Sequence, residues 1–143
     1  MGRGDLWGAG RRGRHDERAH GNGGYFHFQP GEMYVGGGMW RMDKPRVEAF
    51  RNVVRDDADR VRAALEQTGF IEWWGGARPH DELQRVPSGY PRDHPLAEMF
   101  RWKNVVFGRR LADVEVLSPE LPDRLAEGYA AATPVFRFLA SLA

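Results

Sequence analysis

The feature that most constrains this chain is a pair of aromatic-rich runs joined by Pro30 and Gly31. Proline fixes φ at the second position of a turn, and glycine supplies the positive φ required at the third position of a type II turn. A β-hairpin is therefore predicted, with Gln29 facing Glu32. The predicted register then pairs Phe28 with Met33, His27 with Tyr34, Phe26 with Val35 and Tyr25 with Gly36.

This register divides the hairpin side chains between two faces of a sheet. One face carries the apolar side chains Phe26, Phe28, Met33, Val35 and Met39. The other carries Tyr25, His27, Tyr34 and Trp40 around two positions without side chains, Gly36 and Gly38, which we call the glycine floor. Such a floor admits either a closely packed helix or a ligand, and both interpretations stay open at this point.

Composition favours one domain without thiol chemistry. At 143 residues and 41% hydrophobic content, the chain can bury a core. It has no cysteine, which excludes disulfides and thiolate catalysis and is typical of a reducing compartment, so we expect a cytoplasmic protein. No apolar run reaches the roughly 20 residues of a membrane span, so no membrane partner is expected. A net charge of +1 argues against a nucleic-acid partner.

The N-terminal residues differ in composition from the rest. They are dominated by glycine and arginine, so we expect a disordered tail over residues 1–23 and a single α+β domain over residues 24–143. His15 and His20 lie beside acidic residues, but a flexible tail does not preorganise a metal site. We therefore expect no metal and no cofactor.

An apolar stripe at helical spacing follows the hairpin. Asp43 and Pro45 are typical of a helix start. The stripe itself consists of Val47, Phe50, Val54, Ala58, Val61 and Leu65. A break near Asp57 and one long helix stopped by Gly69 are both compatible with the acidic residues in its middle.

The remaining elements complete the predicted fold. Residues 70–74 are predicted as a short strand or packed loop, and residues 104–110 as a second sheet segment. Ser118 and Pro119 favour the start of a last helical region, in which Pro134 predicts a kink or a restart. The expected fold class is α+β: an antiparallel sheet built on the glycine-rich hairpin, with helices packed mainly on one side.

A second polar group lies in the irregular stretch after residue 77. Its members are Arg85, Tyr90, Asp93, His94 and Lys103, and together they could clamp an anion. In the alternative interpretation, Asp93 or His94 caps a helix while Arg85 and Lys103 are solvated. The candidate ligand-binding set is Tyr25, His27, Tyr34, Gly36, Gly38, Trp40, Arg85, Tyr90, Asp93 and Lys103. His27 and His94 are the candidates for proton transfer.

Several strings in the chain resemble one bacterial family of conserved hypothetical proteins, domain of unknown function 2461. They are GYFHFQPG at residues 24–31, VGGGMW at 35–40, RVPSGY at 85–90, DHPL at 93–96, VLSP at 116–119 and PVFRFL at 134–139. The resemblance covers residues 24–142. It also implies an N-terminal half with an Arg-x-x-Arg-Asp-x-Arg-Phe segment, which this sequence lacks. We therefore expect either a truncated or mis-started member, or an unrelated or out-of-frame replacement over residues 1–22.

The resemblance implies no established activity. From the residues, we expect a non-catalytic or ligand-binding intracellular protein that takes a small anionic or planar ligand beside Gly36 and Gly38. The alternative is an enzyme acting on a phosphorylated or nucleotide substrate, whose arginine clamp lies in the missing half. We also expect an oligomer contact on the surface that the missing half leaves bare.

Overall fold

The computed structural model describes residues 22–142 apart from position 30, so most of the predicted tail lies outside the described residues. In this part of the chain, three strands form one antiparallel sheet in the order β1-β2-β3. The strands are β1 (Gly23–Gln29), β2 (Glu32–Met39) and β3 (Val105–Leu111). The α-helices are α1 (Lys44–Asp56), α2 (Ala58–Leu65), α3 (Thr68–Trp74), α4 (Asp113–Val116) and α5 (Leu121–Ala140), and a 3-10 helix spans Ala97–Arg101. The expected α+β class is confirmed.

The hairpin has the predicted register. Gln29 faces Glu32 and Tyr25 faces Gly36, and the pairing continues to Gly23 opposite Gly38. Gly31 has the positive φ, 76°, that the turn needs. The second predicted sheet segment is β3, which pairs with β2 over its whole length.

The core lies between one side of the sheet and the helices, and we call this the helix side. Phe107 of β3 is 1% exposed and packs there against Phe70 of α3 and Phe136 of α5, at ring-centroid distances of 5.1 and 5.6 Å. Phe26 and Phe28 point to the same side because they alternate with Tyr25 and His27. They are nevertheless 45% and 47% exposed, because β1 is an outer strand of the described sheet.

The predicted helical stripe is confirmed, with the break rather than one long helix. The Asp43 carboxylate accepts a hydrogen bond from the Arg46 N–H at 3.1 Å, which caps α1. The chain breaks at Asp57 and resumes as α2. Stripe residues on both helices, among them Val54 and Val61, are fully buried.

Two sequence-based expectations after α2 are wrong. Residues 70–74 are helical rather than extended, and Gly69 lies inside α3 rather than stopping the preceding helix. Aromatic residues favour strands locally, but Phe70 and Trp74 lie one helical turn apart and are both buried, so tertiary packing decides. Gly75 then ends α3 in the left-handed conformation, with φ of 81°.

The last helix begins later than predicted and is not restarted. Ser118 accepts a hydrogen bond from the Glu120 N–H at 3.1 Å, and α5 starts at Leu121. The helix runs through Pro134. Thr133 does not cap a new helix, since its hydroxyl donates to the Tyr129 carbonyl at 3.2 Å.

Because the stripe is buried, substitutions at neighbouring positions on α2 should differ strongly in their effect on the free energy of unfolding. Val61→Asp places a carboxylate at a fully buried site and should lower the free energy of unfolding by about 3 kcal/mol or more. Asp59→Ala changes a side chain that is 98% exposed and should stay within about 0.5 kcal/mol. Urea denaturation measures both, and the reverse ranking would contradict the helical interpretation.

Candidate functional site

The glycine floor is occupied by a side chain of the sheet itself. The Tyr25 ring lies over Gly36, where an added Cβ would be 2.6 Å from the tyrosine oxygen and 2.5 Å from the Phe107 carbonyl. The same tyrosine oxygen reaches Gly108 on β3, 3.4 Å from an added Cβ. Tyr25 therefore crosses the sheet from its outer strand to β3, an arrangement that the sequence analysis did not consider.

Gly38 is required for a different reason. Its φ is 116°, a conformation that other residues rarely adopt, and a Cβ there would overlap the Val105 carbonyl and lie 2.7 Å from Val106 Cα. On the side of β3 away from β2, the backbone of Val106 also pairs with the backbone of Arg78. Gly36 thus allows the close approach of both a ring and backbone, whereas Gly38 allows that of backbone.

Aromatic side chains predicted for this face do come together. The rings of Tyr25 and Trp40 are 5.7 Å apart, and Trp40 lies edge-on to His80 at 4.7 Å. His27 is opposite Tyr34, which is 38% exposed. Ligand binding by this aromatic face stays a prediction.

Two tyrosines connect this face to α5. The Tyr129 hydroxyl donates to the carbonyls of Gly36 and Tyr25, at 2.8 and 3.3 Å. Burial raises the pKa of Tyr25 to about 12, and the neighbouring Tyr34 acts in the same direction. Burial likewise raises the pKa of Tyr129 to about 12. Both hydroxyls are held in the protonated form.

The second polar group is only partly assembled. Tyr90 and His94 both pack on Phe100, at 4.9 and 5.4 Å between ring centroids. His94 Nδ1 accepts a hydrogen bond from the Leu96 N–H at 2.9 Å, a local contact just before the 3-10 helix, which itself has no side-chain cap. The Tyr90 hydroxyl donates to Asn52 at 2.9 Å.

The other members of that group point elsewhere. Lys103 pairs with Asp81 at 3.6 Å, while Arg85 and Asp93 are exposed. Arg55, which the sequence analysis did not select, lies 5.3 Å from the centre of the Tyr90 ring. Anion binding by this group stays a prediction.

A cleft that the sequence analysis missed lies between α4 and α5. It encloses about 230 Å³, and we call it the α4–α5 cleft. Its lining residues come from α3, β3, α4, α5 and the turn between the last two helices. They are Trp73, Leu111, Val114, Glu115, Ser118, Glu120, Leu121, Arg124 and Leu125.

Trp73 is fixed at the base of the cleft by contacts on its ring. Gly128 of α5 allows the ring to touch the helix backbone, since a Cβ there would be 2.7 Å from two ring carbons. The Arg109 guanidinium lies 4.3 Å from the ring centre and donates to the Trp73 carbonyl at 3.2 Å. The indole Nε1 is buried and has no hydrogen-bond partner among the described residues.

The charges of the cleft are unequally paired. Glu115 accepts from Arg109 at 2.6 Å, and its second oxygen accepts from the Ala112 N–H at 2.9 Å. Arg124 lies 3.7 Å from the same carboxylate, beyond hydrogen-bond distance, and its side chain is 48% exposed. Arg109 therefore satisfies Glu115, and Arg124 can turn its donors toward the cleft.

One signal in the sequence points to this site. Gly128 stands alone within a helical pattern, where glycine costs about 1 kcal/mol relative to alanine and usually has a packing reason. The pattern does not reveal which ring packs there. Trp73, Arg109 and Arg124 are brought together only by the tertiary structure.

The fold and the site together define an α+β protein with a small, mostly apolar cleft lined in part by Trp73, whose ring contacts Arg109. The family model described as conserved hypothetical protein (DUF2461) matches residues 5–138. The chain belongs to this family, as its strings indicated. No curated protein and no solved structure matches it.

The described residues also bear on membranes and metals. Within residues 22–142, position 30 aside, none of the helices is both long and apolar enough to cross a membrane. In the same part of the chain, no three His, Asp or Glu side chains are grouped so that they could hold a metal ion.

The two facing glycines at the start of the hairpin provide a matched test of the backbone contact. Gly38→Val should lower the free energy of unfolding by about 1–3 kcal/mol, because it adds strain and overlap. Gly23→Val, where no atom lies within 4 Å of the added Cβ, should change it by less than about 0.5 kcal/mol. Chemical denaturation of the two variants gives the comparison, and equal effects would refute the assigned role of Gly38.

The buried tyrosines predict a loss of stability at alkaline pH. The unfolded chain ionises tyrosine near pH 10, whereas Tyr25 and Tyr129 remain protonated in the fold to about pH 12. Stability should therefore be unaffected below pH 10 and fall above it, by up to about 1.4 kcal/mol per pH unit for each group. Urea titrations from pH 9 to 11.5 should show a shallower fall in Tyr25→Phe and in Tyr129→Phe. A slope that neither variant changes would contradict the burial argument.

Proposed function

We propose that this chain is a non-catalytic ligand-binding protein of the cytoplasm that takes a small carboxylate with an apolar or planar body in the α4–α5 cleft. The observation that carries the proposal is a cleft that combines mostly apolar side chains with the half-exposed guanidinium of Arg124, which lies 3.7 Å from a Glu115 carboxylate that Arg109 already binds. A guanidinium beside apolar surface is a favourable partner for a carboxylate, because its hydrogen bonds are charge-assisted.

The lining sets the chemistry of the ligand body. Leu111, Leu121 and Leu125 supply apolar surface, and Trp73 supplies an aromatic edge. The volume of about 230 Å³ is below the roughly 300–1,000 Å³ of sites for drug-sized ligands. A single ring or short chain with one acidic group suits this space, and a nucleotide does not.

The charged side chains of the cleft determine which polar group the ligand should carry. Because Arg109 already neutralises Glu115, the guanidinium of Arg124 remains to bind a carboxylate as a planar fork. Glu120, also in the lining, disfavours multiply charged anions such as phosphate esters. Histidine is missing from the described lining residues, which supports binding rather than proton transfer at this cleft.

Benzoate and its neutral isostere benzamide test the proposal directly. We expect benzoate to shift the indole N–H resonance of Trp73 in two-dimensional NMR, with Trp73→Phe assigning that peak, and benzamide to bind more weakly. Arg124→Gln should weaken benzoate binding about 10- to 100-fold, which corresponds to a charged hydrogen bond of about 1.5–3 kcal/mol.

Arg137→Gln is the matched control, because Arg137 is exposed near the opposite end of the same helix. It should bind benzoate like the unmodified chain. Equal affinity for benzoate and benzamide, or benzoate affinity unchanged by Arg124→Gln, would rule the proposal out.

A further inference from the structure

The two edges of the described sheet are not equivalent. On the outer side of β3, the Arg78 N–H donates to the Val106 carbonyl at 2.8 Å, and the Arg78 carbonyl accepts from the Val106 N–H at 2.9 Å. This edge is therefore partly closed. Strand β1 pairs with β2 and forms the other edge, so that among the described residues the sheet is open at its N-terminal strand.

The hairpin geometry identifies which backbone groups face outward from β1. A two-residue turn is flanked by a narrow, hydrogen-bonded pair, here Gln29 and Glu32, and such pairs alternate along an antiparallel ladder. The backbone groups of Gly24, Phe26 and Phe28 therefore point away from β2. They form a row of donors and acceptors along the outer edge.

Strand β1 lacks the features that usually protect an edge. Its sequence GGYFHFQ contains no Asp, Glu, Lys or Arg and no proline. Phe26 and Phe28 are about half exposed on the helix side of this edge. An uncharged strand of this kind is a template for pairing with another strand.

We propose that β1 pairs with β1 of a second copy of this chain, antiparallel about a twofold axis at Phe26. In this register Phe26 faces Phe26 of the second copy, and Gly24 faces its Phe28. All three outward residues of each copy then take part in hydrogen-bonded pairs. A register shifted by two residues toward the turn would set Gly24 opposite Pro30, which has no N–H to donate. The opposite shift would set Phe28 opposite Asn22, which lies outside β1.

The occupant is a second copy because the edge is complementary to itself. Twofold symmetry makes two identical strands antiparallel, and β1 contains no Asp, Glu, Lys or Arg that would repel its counterpart across the axis. Phe28 of one copy would lie opposite Gly24 of the other, beside the Tyr129 ring, which is 2.9 Å from the Cβ that Gly24 lacks. An aromatic ring opposite an edge glycine is a stabilising pair.

Sedimentation equilibrium of the full chain tests this proposal. We expect the mass to rise from monomer to dimer between about 5 and 500 μM, since a seven-residue edge is at the small end of specific interfaces. Phe26→Lys, which places like charges face to face, should raise the dissociation constant by about tenfold or more. Leu117→Lys is the control, because Leu117 is 82% exposed elsewhere on the surface.

The absence of cysteine allows a second measurement that depends on register. Facing residues in a hydrogen-bonded pair have Cα atoms about 5.5 Å apart, within the range of a disulfide. Oxidised Phe26→Cys should therefore form a covalent dimer, and Leu117→Cys should form far less. Circular dichroism confirms that the variants are folded.

Two outcomes would overturn the proposal. The first is a full chain that stays monomeric at every concentration, and the second is a dimer that Phe26→Lys does not weaken. In the first case, dimerisation of a shortened form starting at Asn22 would identify residues 1–21 as the occupant of the edge.

Discussion

Aromatic rings packed directly on glycine backbone are the contacts on which the rest of this structure depends. Four such contacts join the strands and helices: Tyr25 on Gly36 and Phe136 on Gly37 in β2, Tyr129 on Gly24 in β1, and Trp73 on Gly128 in α5. At each glycine a Cβ would come within 2.9 Å of a ring atom, so even alanine would require the ring to move. The glycines thus determine how closely α5 approaches the sheet and α3.

The parts of the fold that follow from local chemistry could be predicted. Pro30 and Gly31 determine the turn, the turn determines the register, and the register determines which hairpin residues share a face. The helical stripe also follows from local sequence, because the spacing of Val54 and Val61 places both on one apolar face, where they are buried. The exposure of Phe26 and Phe28 was not predictable, because it depends on how far the helices extend over the sheet.

Features that depend on contacts between distant residues could not be predicted. The segment from Phe70 to Trp74 is aromatic enough to favour a strand, yet it forms a helix. In this helix the Trp74 indole donates to the distant Gly128 carbonyl at 2.7 Å, a contact that stabilises the helix against α5. The cleft has the same origin. Trp73 and Arg109 are 36 residues apart, and their contact exists only once α3 and β3 are packed together.

Within the cleft, the structural contacts and the proposed ligand contact belong to different residues. Arg109 contacts the Trp73 ring and its carbonyl and also pairs with Glu115, so its removal would disturb α3, β3 and α4 together. Trp73 is similarly required for packing on Gly128. Arg124 is half exposed; its guanidinium makes a long ion pair with Glu115 and lies 5.8 Å from the centre of the Trp73 ring, so its replacement disturbs the packing less than that of Arg109. Family membership does not identify an activity, and a fold alone does not either. Arg124 is therefore the residue at which the proposed ligand binding can be tested separately from folding.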